Sequence, residues 1–184
     1  FVILLLRTYG AAKIIAIDFN EENLRIAQQL GAHAIIHLRN TQKEHPYGPD
    51  VEVIQELMKL TYGKGVDISM EMAGPNSSVN NCIEGTRRGG HVILFGLQDG
   101  DFTIPKFSRV IVRGLNFHCV IGRKIFGTWQ VAQRMLSDRS NGIQDKIFDV
   151  ILKGGDGTII PFDEFTPEMF EEKLKTYPKV MFKF

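Results

Sequence analysis

Asp18 closes the apolar run IIAI at 14–17. A carboxylate at the end of a buried strand can accept hydrogen bonds from both hydroxyls of an adenosine ribose. It also repels a 2′-phosphate, so it favours NAD over NADP. The same residue can instead do no more than cap the turn that follows. The ribose reading ordinarily comes with a glycine-rich turn about 20 residues upstream, and none stands among the residues before Asp18. Three further stretches sit where apolar runs end: Ala73-Gly74, Phe95-Gly96-Leu97 and Val120-Ile121-Gly122. A small residue at such a position lets the main chain approach a flat ligand closely, or simply turns a strand into a loop.

Other chemistry-bearing residues have less to offer. The histidines His33, His37, His45, His91 and His118 show no metal-ligand spacing. His118 and Cys119 are neighbours in a predicted strand, so their side chains point to opposite faces. There is no nucleophile elbow and no phosphate-binding lysine loop. Trp129, the only tryptophan, shares helical spacing with Phe126 and Met135 and is expected in the core. Arg123, just past a strand end, could meet a phosphate or carboxylate or face solvent.

The elements that must position these residues can be read from periodicity. Residues 1–9 read as a helix stopped by Gly10, and 14–17 as a strand buried on both faces. Asn20 is placed to cap a helix with Glu21 and Glu22 in its first turn. HAIIHL (33–38) is a second strand, and 39–49 a polar loop. Asp50 is expected to cap a helix whose apolar stripe is Val51, Ile54, Leu57, Met58 and Thr61. VDISMEMAG (66–74) is a third strand, followed by a short helix and the turn RRGG. HVILFG (91–96) is a fourth strand, DFTIP a small strand before a helix, and LNFHCVIG (115–122) a fifth strand and candidate sheet edge. A helix over 126–138 follows, then a tail read as a strand (FDVIL), a helix and a last strand (KVMFKF). Alternating strands and helices predict an α/β fold, a doubly wound parallel sheet, with ligands at the carboxyl ends of the strands.

Composition narrows the class. The chain has 184 residues, of which 43% are hydrophobic, which suits a packed globular fold. A formal charge of +1 gives no electrostatic reason to expect nucleic acid or a membrane surface as partner. Cys82 and Cys119 form neither a disulfide framework nor a zinc module, so a cytoplasmic setting is expected. The opening run FVILLL is too short to span a bilayer. It reads as cut from something longer.

Four stretches together carry a resemblance: AAKIIAIDFNEENLRIAQQLGA, GKGVDISMEMAG, RRGGHVILFGL and VIVRGLNFHCVIGRKIFGTW. The chain resembles the cofactor-binding half of zinc-containing medium-chain dehydrogenases, and the Gly-Arg-x-x-Phe-x-Thr-Trp run at 122–129 is similar to the threonine-type branch. The resemblance implies a Rossmann domain over 1–137, with its first strand and glycine turn falling before Phe1. The segment 138–184 would pack on that unit or belong to a separate catalytic domain. It also implies an NAD-dependent, zinc-dependent oxidation of a secondary alcohol, threonine at C3 in the first instance. Polyol (sorbitol-type) oxidation, or a nucleotide-binding module without activity, is the alternative. A methyltransferase on a similar sheet competes on fold alone.

By the same resemblance, Asp18 becomes the ribose acid. Phe95, Gly96 and Leu97 would lie beside the nicotinamide half of NAD. Val120 and Ile121 would offer main-chain groups to its carboxamide, and Ala73 would stand near the same ring. The zinc ligands would lie in an N-terminal domain, so residues 1–184 alone are expected to be inactive and to contribute no catalytic or metal-binding residue. One position departs from the family: Asn23 stands where an arginine often lies near the adenine. The resemblance further implies a small-molecule substrate and a homodimer or homotetramer.

Overall fold

The computed structural model describes residues 1–39 and 47–184. The polar loop expected over 39–49 falls largely outside them. The chain divides into two compact units, one formed by Phe1–Ile35 with Lys124–Phe184 and the other by Ile36–Arg123.

In the first unit, helix α1 (Val2–Thr8) is followed by strand β1 (Ile15–Asp18) and helix α2 (Glu21–Gln29). Asn20 caps α2, its side chain accepting from the main-chain N–H groups of Glu22 and Asn23. This satisfies two donors that the first turn would otherwise leave open. Strand β2 (Ala34–His37) pairs with β1. His33, just before it, is fixed by Ile14, whose main-chain N–H donates to Nδ1 at 2.9 Å.

The core of this unit joins Leu4 of α1 and Leu30, at the end of α2, to Ile143 and Ile151 from the tail. The tail therefore packs on the helices that open the chain. Lys146 adds a polar tie by donating to the Gln29 carbonyl at the end of α2 (3.2 Å), where a cation complements the negative helix end. FDVIL is not a strand. After the short helix α7 (Ile143–Lys146), residues Ile147–Ile151 continue as a π-helical turn that brings Ile147, Val150 and Ile151 to the same apolar cluster. A five-residue apolar run fits a strand or a buried helical turn equally well, and packing decides between them.

Strand β6 (Ile159–Pro161), absent from the sequence reading, pairs in parallel with the last strand β7 (Met181–Lys183). Between them lies helix α8 (Pro167–Thr176), capped by Thr166. Phe162, Phe165, Phe170 and Phe182 pack edge-on and stacked at 5.3–6.0 Å between centroids. These contacts form an aromatic cluster beside the small two-stranded sheet, with Phe162 and Phe165 still exposed.

The second unit holds helix α3 (Val51–Leu60), strand β3 (Val66–Glu71), helix α4 (Asn76–Gly85), strand β4 (Thr86–Leu94), helix α5 (Ser108–Arg113) and strand β5 (Asn116–Cys119). The order is β3-β4-β5, both pairs parallel, with β5 at the edge. Each crossover is a helix, as parallel pairing requires. Val79, Ile83 and Val110 of α4 and α5 pack with Leu94 beneath one sheet face.

Four expectations change here. Asp50 makes no side-chain cap to α3. It is buried and instead exchanges two hydrogen bonds with Asn81, at 2.7 and 2.9 Å. The buried stripe of α3 is accordingly rotated to Val53 and Leu57, leaving Val51 exposed. RRGG is not a turn before β4 but lies within it, as an irregularity between the pairs Val66–Thr86 and Ile68–His91. DFTIP forms no strand. Its residue Thr103 is held by Asn76 through two hydrogen bonds of 2.8 Å and by Asn80 through a third of 2.9 Å. Side-chain amides replace the ladder that a strand would have used.

The carbonyls ending α4 are satisfied from α5. Arg113 donates to the carbonyls of Ile83 and Glu84, each at 3.1 Å, and to that of Thr86. Such charge-assisted bonds contribute about 1.5–3 kcal/mol where they are shielded from water. Arg113→Ala should therefore lower the unfolding free energy by roughly 2–4 kcal/mol, and Arg113→Lys should recover only part of it. Urea unfolding followed by circular dichroism is the check.

Candidate functional site

The carboxyl ends of β3, β4 and β5 are laced together beyond the strands themselves. Phe95 and Gly96 donate from their main-chain nitrogens to the Glu71 carbonyl at 2.9 and 3.2 Å, and Val120 donates to Leu94 at 2.9 Å. The geometry thus brings Ala73, Phe95, Gly96, Leu97, Val120 and Ile121 to one rim of the second unit. Leu97 and Ile121 are 80% and 82% exposed there, and Phe95 and Val120 about half exposed.

Glu71, which the sequence reading passed over, organises this rim. It ends β3 and is only 1% exposed. Its Oε1 accepts from the main-chain nitrogens of Ala73 and Gly74, both at 2.8 Å. Its Oε2 has no hydrogen-bond partner among the described residues. The signal available in the sequence was an acid at the end of an apolar strand, three residues before the glycine of Gly74-Pro75. A carboxylate there has a reason to turn back on the following amides.

Two glycines make the closeness possible. Gly74 has a φ of +103°, and a Cβ on it would lie 2.7 Å from the Leu97 carbonyl oxygen. A Cβ on Gly96 would meet the Gly74 nitrogen, and Glu71 Oε2 at 2.5 Å. No side chain fits at either place without a shift of main chain.

Asp18 belongs to the first unit and is half-buried. Its Oδ1 accepts from the Asn20 main-chain N–H at 2.8 Å, and its Oδ2 from Asn23 Nδ2 at 3.2 Å. The turn-capping role is therefore real. It uses one acceptance on each oxygen, and a carboxylate offers about four such sites. Asn23 thus anchors the carboxylate. Arg25 pairs with Glu22 at 3.1 Å and Glu21 at 3.8 Å along α2.

Trp129 is not in the core. It is 52% exposed near the start of helix α6 (Gly127–Ser137), edge-on to Phe126 at 6.2 Å. No residue of α6 is buried, so its amphipathic pattern does not bury a stripe in this structure. Cys82 is no candidate nucleophile: burial pushes its thiol up to about 11, so it stays protonated at neutral pH. Among the described residues no group of three or more His, Cys, Asp or Glu side chains could hold a metal ion. The described residues therefore do not fit a catalytic zinc. Among the described residues no helix is long and apolar enough to cross a membrane.

Parallel strands joined by helices, with an open rim at their carboxyl ends, define a Rossmann-type α/β fold. The zinc-binding dehydrogenase family matches residues 1–138, and the chain belongs to that family. It is 32% identical over 128 residues to L-threonine 3-dehydrogenase of Bacillus subtilis (strain 168), covering 70% of this chain and 34% of that protein. To the enzyme of the same name from Bacillus licheniformis it is 29% identical over 163 residues, covering 82% of this chain and 44% of the other. Among solved structures, 2R,3R-butanediol dehydrogenase from Bacillus subtilis superposes on 98% of this chain with a TM-score of 0.71 and 20% identity, using 46% of its own length. The alcohol dehydrogenase from Thermus sp. ATN1 matches 64% of this chain and 31% of its own, with a TM-score of 0.53 and 28% identity. The chain thus spans between about a third and a half of these relatives. It corresponds to the cofactor-binding region of such dehydrogenases.

The close approach at Gly96 is directly testable. Gly96→Ala should destabilise the protein by roughly 1–3 kcal/mol, the usual cost of forcing atoms into a packed site. Gly127→Ala, where an added Cβ meets nothing within 4 Å, should not destabilise it. Thermal unfolding of the two variants side by side provides the measurement.

Proposed function

We propose that this chain is the NAD-binding half of a zinc-dependent dehydrogenase that oxidises L-threonine at C3. The observation that carries the reading is the laced rim of β3, β4 and β5. It puts Ala73, Phe95, Gly96, Leu97, Val120 and Ile121 around one opening, with main chain drawn close by Gly74 and Gly96. A flat ring needs such a bare, close-packed floor.

Bound NAD would supply the hydride acceptor, and the chain would supply position and surroundings. Phe95, Gly96 and Leu97 would back one side of the nicotinamide, and Ala73 would leave room for it. The main-chain groups of Val120 and Ile121 would face the carboxamide and orient the ring. The apolar side chains of the rim, exposed here, would pack against the bound cofactor. Asp18 would hold the adenosine ribose through acceptor capacity beyond that used by Asn20 and Asn23. The zinc ligands would come from the rest of the dehydrogenase. L-threonine is favoured over a polyol by the relatives of that name and by the run at 122–129. Turnover of L-threonine with NAD well above that of sorbitol, by the dehydrogenase that carries this half, is the expected result; the reverse order would assign it to polyols.

Cofactor choice follows from Asp18. Two hydrogen bonds from ribose hydroxyls to a carboxylate are worth roughly 1.5–3 kcal/mol each, and a 2′-phosphate removes one and adds a like charge. Glu21 and Glu22 stand nearby, and Arg25 is already paired with them. NAD should be preferred over NADP by about a hundredfold or more in kcat/KM. Asp18→Gly should narrow that gap while raising KM for NAD. An unchanged preference would leave Asp18 as a turn cap only.

The edge strand β5, exposed along its length, supports association of two copies through that edge. Sedimentation at tens of micromolar is expected to give a dimer or tetramer of the dehydrogenase, and a proline at Phe117 to shift it toward monomer.

A further inference from the structure

The two faces of the β3-β4-β5 sheet differ. Val92 is fully buried, and its cross-strand partner Ser69 bonds to the Cys82 carbonyl of α4 and to Thr86. That face is the covered one. Side chains alternate along a strand, so the other face carries Ile68 and Met70 of β3, His91 and Ile93 of β4, and Asn116 and His118 of β5. Ile68 and Met70 are exposed, and so are both histidines.

Parallel register sets His91 opposite Asn116 and Ile93 opposite His118. The two histidines are therefore diagonal neighbours on adjacent strands. Their side chains meet: His91 Nδ1 lies 2.8 Å from His118 Nε2, with ring centroids 5.1 Å apart and planes inclined by 32°. One nitrogen carries the proton and the other accepts it. A metal bound at about 2.0–2.1 Å by each of two imidazoles, at nearly a right angle, needs its nitrogens about 2.9 Å apart. The spacing is already that of two neighbouring positions in a square-planar or octahedral shell. Replacing the shared proton by a cation asks only for a swing of two exposed rings, because the strands fix their separation.

We propose that His91 and His118 form a two-histidine chelate for a late first-row divalent cation, Cu(II) before Ni(II) or Zn(II), on the open face of this sheet. It lies on the sheet face, two residues short of Val120 on β5, and uses none of the side chains proposed to meet NAD. Imidazole nitrogens and a near right-angle bite favour tetragonal Cu(II) in the usual affinity order. With two protein donors the remaining positions belong to water or to a small bound ligand. The side-chain oxygen of Asn116, opposite His91, is a further donor available on the same face.

The test is a titration of Cu(II) into the full chain, with glycine as a competing chelator, followed by calorimetry and by electron paramagnetic resonance. One site per chain is expected, with hyperfine splitting from two imidazole nitrogens. His91→Asn and His118→Asn should each weaken binding by about tenfold or more, because loss of one arm removes the chelate advantage. His37→Asn should leave it unchanged. Circular dichroism verifies that the variants keep their fold, and the nitrogen splitting of the unmutated chain tests the site without any variant. A spectrum showing one nitrogen or none, or unchanged affinity in both His91→Asn and His118→Asn, would overturn the proposal.

Discussion

A buried carboxylate at the end of β3 sets the geometry on which the second unit's rim depends. Glu71 gives one oxygen to two consecutive amides, Ala73 and Gly74, and so bends the chain sharply at the strand's end. The bend puts Gly74 against Leu97, and Gly96 against Gly74 and Glu71. The ends of two neighbouring strands are thereby brought closer than any pair of residues with side chains would allow. Burial of an acid is costly unless its charge is met by hydrogen bonds. Here main chain meets one oxygen, Oε1, twice, while Oε2 is left without a hydrogen-bond partner among the described residues. A rim built this way is positioned by backbone, and the side chains on it can vary without moving it.

The same economy runs through α4. Its sequence, NSSVNNCIEG, is too polar for an ordinary buried helix. Asn76, Asn80 and Asn81 are nevertheless buried, because each satisfies a stretch that has no ladder of its own: Thr103 for the first two, with Tyr47 added by Asn80, and Asp50 for the third. Arg113 closes the far end of the helix from α5. One helix face packs on the sheet through Val79 and Ile83, and the polar positions hold loops. The segment between Leu97 and α5 is therefore tied down although it contains no regular structure.

What could be read from the sequence followed from local rules, and what could not followed from distant contacts. The strands β1 to β5 and their helices came from apolar periodicity and caps such as Asn20. The strand ends named the rim residues because parallel sheets place ligands there. Glu71 was missed because an acid inside a strand reads as a solvent-facing residue until the amides it accepts from are known. Asp50 was misread as a cap because its partner, Asn81, is 31 residues away. Trp129 was expected in the core from spacing alone, yet helical spacing states which residues share a face and not whether anything covers it. The two histidines stand 27 positions apart. Only the register of β4 on β5 brings them into contact, and no motif spacing encodes that register.

Asp18 differs from Glu71 in the range of its attachments. Both partners of Asp18, Asn20 and Asn23, lie within five residues of it. Its position is set by one strand end and the first turn of one helix. Glu71, by contrast, touches the packing of two strands and the loops between them. A substitution at Asp18 thus removes a local turn contact of modest worth on an exposed segment, while one at Glu71 disturbs a buried junction. On the ribose role proposed for Asp18, a change of ribose substituent would be met by residues 18–25 with little effect on the rest of the unit. Asn23 gives the carboxylate one amide hydrogen bond and brings no positive charge to it.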